Sequence, residues 1–414
     1  MPAQEARLPA LDVLRAVGAL CVLAVHVGVR TGAVYRGLPG GVLARLDVGV
    51  AIFFVLSGFL LFRPFVVARA EGLRRPSAGR YLWRRALRIL PAYWLAVTAC
   101  LLLLPPNKGT PPELWVRFFT LTQIYIPFPL APGLYQAWTL ATEASFYVVL
   151  PVLALVALGR RWRPRRTVVV TVALAVLALL AWLVVIGGGH LPASPAALWL
   201  PMYLLWFAAG MALATAHVAL RTGTAPAGWR VLDRLSLAPL ACWIAAVGLL
   251  VVAGTPVGGG RDVNTFGLNQ LAVKVVLFTA VATLVVVPAA FGPPTRAKLV
   301  LGNGVLRWLG AMSYGVFLWH PFVLEAIYEI TDRPVFGGGF IEVYLMTGGF
   351  ALALAVLSYY VVERPLLRLS PQWRRRRSSD AVEAGPDGRQ PQGADGEQTD
   401  GLRPADVVGI GGVH

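Results

Sequence analysis

Charge is scarce in this 414-residue chain. Asp, Glu, Lys and Arg make up only 14% of it, and the acidic residues number 20 against 37 basic ones. Soluble domains carry about a quarter of their residues as charges, so the composition excludes a water-soluble multidomain protein. Cysteine is nearly absent, and Cys21, Cys100 and Cys242 all fall in apolar runs, which leaves no disulfide framework or CxxC motif and makes them packing residues. The five histidines include no pair at metal-ligand spacing, so no metal site is expected. No internal repeat is visible, whereas many secondary carriers show two related halves. What the chain does have is apolar surface: 57% of its residues are hydrophobic and the mean hydropathy is +0.67.

Apolar runs of ~20 residues are long enough to cross a bilayer. They fall at roughly 8–29, 43–62, 89–104, 138–158, 167–187, 196–216, 237–254, 269–290, 306–328 and 341–363. The fold expected is therefore an all-α polytopic membrane protein of about ten transmembrane helices. The first run carries Asp12, Arg15 and His26 and lacks a small-residue cleavage site, so it reads as a retained helix rather than a signal peptide.

The formal charge of +17 does not point to nucleic acid, because the arginines punctuate the apolar runs. Arg63, Arg69, Arg74, Arg75, Arg80, Arg84, Arg85 and Arg88 follow the second run against one acid, Glu71, and Arg160, Arg161, Arg163, Arg165 and Arg166 follow the fourth. By the positive-inside rule these faces are cytoplasmic, and ten spans place both termini there too. The localisation expected is the cell membrane. Residues 1–369 form the membrane domain. Residues 370–414, opening on Arg374–Arg377 and then rich in Gly, Asp, Gln and Pro, read as a disordered cytoplasmic tail whose arginine run meets anionic lipid heads.

Ionisable side chains within spans cost several kcal/mol unless they face a cavity or a partner, which singles out Asp12, Arg15, His26, Asp47, Glu143, Lys274, His320 and Glu325. Arg15 and His26 are eleven residues apart, three helical turns plus ~20°, so they share a face and are separated by ~16 Å along the axis. An arginine there can grip a phosphate with a forked contact, and a neutral imidazole can act as base or nucleophile. The plainer alternative is an Arg15–Asp12 pair at i,i+3 and a hydrogen-bonded core histidine.

Leu11-Asp12-Val13-Leu14-Arg15 followed by His26 resembles the first helix of the acyltransferase-3 family of integral membrane O-acyltransferases. Phe53-Phe54-Val55-Leu56-Ser57-Gly58-Phe59-Leu60, Arg85-Ala86-Leu87-Arg88, Trp138-Thr139-Leu140-Ala141-Thr142-Glu143, Ser313-Tyr314 with Trp319-His320-Pro321, and Val362-Glu363-Arg364-Pro365 resemble its later motifs in order. The chain departs from the pattern at Ala51, where members often carry Asp, and at Ala144-Ser145, where they often carry Glu-Gln. Asp47, one turn before Ala51, is a candidate substitute for the first. No extracytoplasmic esterase-like domain is expected after the last span.

The resemblance implies an acyl-CoA donor, acetyl-CoA above all, with no bound cofactor, and as partners a hydroxyl-bearing glycan or macrolide acceptor and membrane lipids. His26 is the expected base or transient acyl carrier. Arg15, Arg85 and Arg88 are expected to hold the CoA phosphates, although basic residues at an inner helix end also follow from topology alone. Glu143, expected at His26's depth, has three readings: orienting the imidazole, binding acceptor hydroxyls, or sitting as a helix-start carboxylate. His320 either binds substrate or satisfies the backbone that Pro321 leaves open. Ser57 reads as a packing residue beside Gly58, and Glu363 with Arg364 as a local ion pair. A secondary transporter, or a transmembrane acyl carrier serving a separate transferase, are the competing functions.

Overall fold

The computed structural model describes residues 8–126, 131–258, 267–293 and 302–368. Met1–Leu367 form one compact unit, and the expected tail lies outside the described residues. Among the described residues there is no strand. Ten principal helices follow in order: α1 Pro9–Arg30, α2 Val48–Ala70, α3 Ala78–Leu103, α4 Ala137–Leu158, α5 Pro164–Gly187, α6 Leu200–Arg221, α7 Pro239–Ala253, α8 Leu268–Ala290, α9 Gly304–Thr331 and α10 Phe340–Ser358. Each corresponds to one of the ten expected spans.

Among the described residues, eight helical segments are long and apolar enough to cross a membrane, or nine if α7 is joined to the short helices before it across a 90° bend. The remaining helix, α9, is the longest yet fails that test. It carries Arg307 and Glu329 exposed near its ends and His320 and Glu325 among its fifteen buried residues, where α1 and α10 cover much of it. A span enclosed by protein does not need a lipid-compatible surface.

Helix starts differ from the hydropathy edges for a physical reason. The run at 89 belongs to a helix that begins at Ala78, capped by the Ser77 hydroxyl on the Arg80 N–H. Arg80–Arg88 are therefore the first turns of α3 rather than a connection. Hydropathy marks where apolar surface begins, whereas the cap marks where the helix begins. Arg69 at the end of α2 donates to the carbonyl of Arg160 beyond α4 at 3.0 Å, so the two arginine-rich connections meet at one end of the bundle.

The α2–α6 crossing requires two glycines. A Cβ at Gly58 would stand 2.1 Å from the Phe207 carbonyl oxygen, and one at Gly210 would stand 2.0 Å from that of Val55. The backbones touch, as small residues allow in membrane helices.

The described residues of the connection between α3 and α4 form a folded element. Its short helix Pro112–Phe119 is tied to α3 by Tyr93 and Trp94, which donate to the carbonyls of Phe118 and Phe119. Asn107 donates to the carbonyls of Cys100 and Pro132, and the Cys100 thiol donates to that of Gly133. These bonds hold Ala131–Gln136 inside the bundle, where Leu134 is fully buried and Gln136 donates to the Leu318 carbonyl of α9 at 2.9 Å. That carbonyl is next to the one whose helical partner N–H is lost at Pro321.

Candidate functional site

Two polar regions lie along α1. Near its start, α1, α2, α3, α4 and α9 enclose a cavity of about 390 Å³ lined by Arg15, Arg63, Arg85 and Arg88 together with Asp12 and Glu143. Four arginines against two carboxylates leave an excess of positive charge, the environment for an anion with several oxygens. Arg15 forms the i,i+3 bond to Asp12, Nη1 to Oδ1 at 2.8 Å, and lines the cavity as well. The two readings of Arg15 are compatible, because one guanidinium nitrogen serves Asp12 and the fork retains further donors. The Arg85 Nε is buried without a hydrogen-bond partner.

Glu143 lies in this cavity, not beside His26. Ala131–Gln136 fold inward, so α4 starts inside the bundle, and six residues further on Glu143 lines the cavity. Its Oε1 accepts a hydrogen bond from the Ser57 hydroxyl. Ser57, expected to be a packing residue, is thus a cavity-lining donor. The signal available in the sequence was a single hydroxyl in an otherwise apolar run. Asp47, the candidate substitute for the acid missing at Ala51, is paired with Lys274 of α8. Glu363 and Arg364 form no ion pair: a π-helical turn, Tyr359–Glu363, turns the carboxylate inward, while the Arg364 guanidinium lies over the Tyr360 ring at 5.4 Å.

Further along α1, His26 meets His320 of α9. Their rings stack with centroids 5.0 Å apart, and His26 Nδ1 is 2.7 Å from His320 Nε2. His320 Nδ1 lies 3.1 Å from the Val316 carbonyl. A carbonyl only accepts, so His320 Nδ1 carries its proton, and the neutral ring presents an unprotonated Nε2. That nitrogen accepts from His26 Nδ1, which leaves the lone pair of neutral His26 on Nε2. Orientation of the His26 imidazole thus falls to His320, the position sequence reasoning offered to Glu143. His320 is fully buried, and its Nδ1 bonds the Val316 carbonyl, one residue before the Phe317 carbonyl that Pro321 leaves open. Phe317 connects the two regions: it lines the arginine cavity, and its ring centroid is 5.9 Å from that of His320.

Among the described residues, no group of three or more His, Cys, Asp or Glu side chains is placed to hold a metal ion.

The fold and these buried polar groups define a multi-pass helical membrane protein with ionisable side chains grouped inside the bundle. Residues 8–360 match the acyltransferase domain family, and the chain belongs to it: it is an acyltransferase of the class that transfers groups other than aminoacyl groups. It is similar to a nodulation protein of Rhizobium leguminosarum bv. viciae, 26% identical over 367 residues, covering 80% of this chain and 85% of that one. It is 22% identical over 386 residues to a peptidoglycan O-acetyltransferase of Listeria monocytogenes, covering 87% of this chain and 56% of the relative. An exopolysaccharide production protein of Rhizobium meliloti is 28% identical over 329 residues, 77% of this chain and 89% of the relative. The chain spans about half the length of the peptidoglycan O-acetyltransferase. No solved structure matches it.

Proposed function

We propose that the protein moves an acyl group, in the first instance acetyl, from acyl-CoA to a hydroxyl of a cell-envelope glycan in the plasma membrane, with the arginine-rich helix ends facing the cytoplasm. The observation that carries this reading is the hydrogen-bond chain from the Val316 carbonyl through His320 to His26, which leaves a lone pair on His26 Nε2. Names of the relatives point to a glycan hydroxyl rather than a macrolide as acceptor.

In this mechanism Arg15, Arg85 and Arg88 grip the CoA phosphates in the cavity. The pantetheine arm then runs along α1 toward His26, ~16 Å away. His26 Nε2 takes the proton of the acceptor hydroxyl as its oxygen attacks the thioester carbonyl. The tetrahedral adduct collapses with cleavage of the C–S bond, and the thiolate takes the proton back from the imidazolium, so that ester and free CoA leave a neutral His26. In the covalent variant the imidazole nitrogen attacks the thioester carbon and the C–S bond breaks, giving an acyl-imidazolium and CoA thiolate; the acceptor oxygen then displaces the imidazole, and its proton passes to the thiolate. His320 holds the tautomer in either route, and Glu143 with Ser57 contacts the donor at the cavity wall.

Transfer from radiolabelled acetyl-CoA to glycan in membranes tests the reading. His26→Ala is expected to lower transfer by about a thousandfold, the range for loss of a general base, while acetyl-CoA binding persists. Undiminished transfer in this variant sinks the assignment.

A further inference from the structure

Beyond His26, at the end of α1 away from the arginine cavity, stands a polar group that the mechanism above does not use. Glu325 of α9 accepts a hydrogen bond from the Tyr135 hydroxyl and is paired with Arg30, the last residue of α1, at 3.3 Å. The Arg30 guanidinium also lies over the Tyr328 ring at 4.5 Å, and its Nε is buried with no hydrogen-bond partner. Tyr135 meets His26 edge to face, with ring centroids 6.0 Å apart. The same inward-folded segment that starts α4 deep in the bundle therefore also delivers a tyrosine to the histidine.

Both ends are partly open: in the cavity the Arg15 side chain is 24% exposed and Asp12 39%. The Arg30 side chain is 25% exposed and Glu325 only 8%, so the arginine faces outward and the carboxylate lies behind it. His26 is partly exposed, yet it does not line the arginine cavity. Its ring contacts are His320 and, from this end, Tyr135.

The two ends differ in charge. The cavity has an arginine excess that favours an anion. Here Arg30 is balanced by Glu325, so a phosphate gains little, whereas a neutral polyol finds a carboxylate, a phenol, a guanidinium and aromatic ring surface. Those groups together match vicinal hydroxyls on a sugar ring.

We propose that Tyr135 and Glu325, with Arg30 outside them, form the acceptor subsite, which holds a glycan hydroxyl beside His26 and receives it from the end opposite the arginine cavity. This rests on the reading of His26 as base. Fifteen residues of α1 separate Arg15 from Arg30, ~22 Å of helix, so donor and acceptor approach His26 from opposite ends and never compete for one opening.

The test uses the full chain in lipid nanodiscs, with radiolabelled acetyl-CoA as donor and the N-acetylglucosamine tetramer as acceptor probe. Tyr135→Phe and Glu325→Gln are each expected to raise the tetramer concentration needed for half-maximal rate by about tenfold or more, as loss of a hydrogen bond to a charged or hydroxyl group does, with the acetyl-CoA dependence unchanged. A merely structural role would lower the melting temperature and move both dependences together. A second measurement covers poorly folded variants: in Tyr135→Cys, labelling by a membrane-impermeant maleimide should be slowed by the tetramer and not by acetyl-CoA. An unchanged tetramer dependence, no transfer to the tetramer by the wild type, or protection by acetyl-CoA overturns the subsite. Full transfer in His26→Ala overturns the base assignment instead, a different failure with a different readout.

Discussion

The two polar regions on α1 stabilise charge in contrasting ways. In the arginine cavity two guanidiniums keep donors to spare: Arg15 binds Asp12 with one nitrogen and Arg85 keeps a buried Nε unpaired. At the histidine end, protons are specified one by one from a backbone carbonyl outward. A region of the first kind accepts an anion whose oxygens adapt to it. One of the second kind fixes a single lone pair at a single atom. Binding tolerates the looseness of the cavity, and proton transfer does not.

That contrast predicts different responses to substitution. The largest effect is expected at His320. His320→Ala removes the acceptor for His26 Nδ1, so the proton is free to move to Nε2 and the lone pair points the wrong way. Transfer should fall by about a hundredfold, at the upper end of what loss of an orienting partner costs a histidine, with acetyl-CoA KM unchanged. His320→Gln places an amide oxygen near the former Nε2 and should recover most of the rate. Equal loss in both variants would break the tautomer argument.

Arg15→Lys is expected to act on the other quantity. A lysine keeps the charge and loses the planar fork, so acetyl-CoA KM should rise by about tenfold, one charge-assisted hydrogen bond's worth, with little change in kcat. A fall in kcat at constant KM would mean that Arg15 works at the reacting centre, and the separation of the two regions would fail.

The same contrast explains what could be read without the structure. Ten helices were legible because apolar runs of bilayer length are a one-dimensional signal, and the shared face of Arg15 and His26 follows from helix periodicity within one segment. Pairings between distant segments were not legible. Asp47 finds Lys274 across 227 positions and Tyr135 finds Glu325 across 190, and nothing local in either sequence neighbourhood specifies the partner. The position of Glu143 depended on Ala131–Gln136 folding inward, which Asn107 and Cys100 impose from α3 and its following turn. The polar residues worth attention were thus visible as a list, but their grouping into one anion cavity and one histidine relay came only from packing.

Ser57→Ala is the mildest test and the sharpest for Glu143. In the native protein the Ser57 hydroxyl donates to Glu143 Oε1, which occupies one acceptor site of a carboxylate surrounded by arginines. If Glu143 contacts the donor, removing that hydroxyl loses one hydrogen bond, about 1 kcal/mol, and should raise acetyl-CoA KM by only a few-fold. Stability should hold, because Ser57 lines the cavity and alanine fills nearly the same space; the tight backbone contact belongs to its neighbour Gly58, which meets the Phe207 carbonyl. Had Glu143 been the group that orients His26, the same substitution would alter kcat and its pH profile and leave KM alone. A few-fold KM change with an unshifted pH profile therefore keeps Glu143 with the arginines, and the reverse pattern would move it to the histidine end.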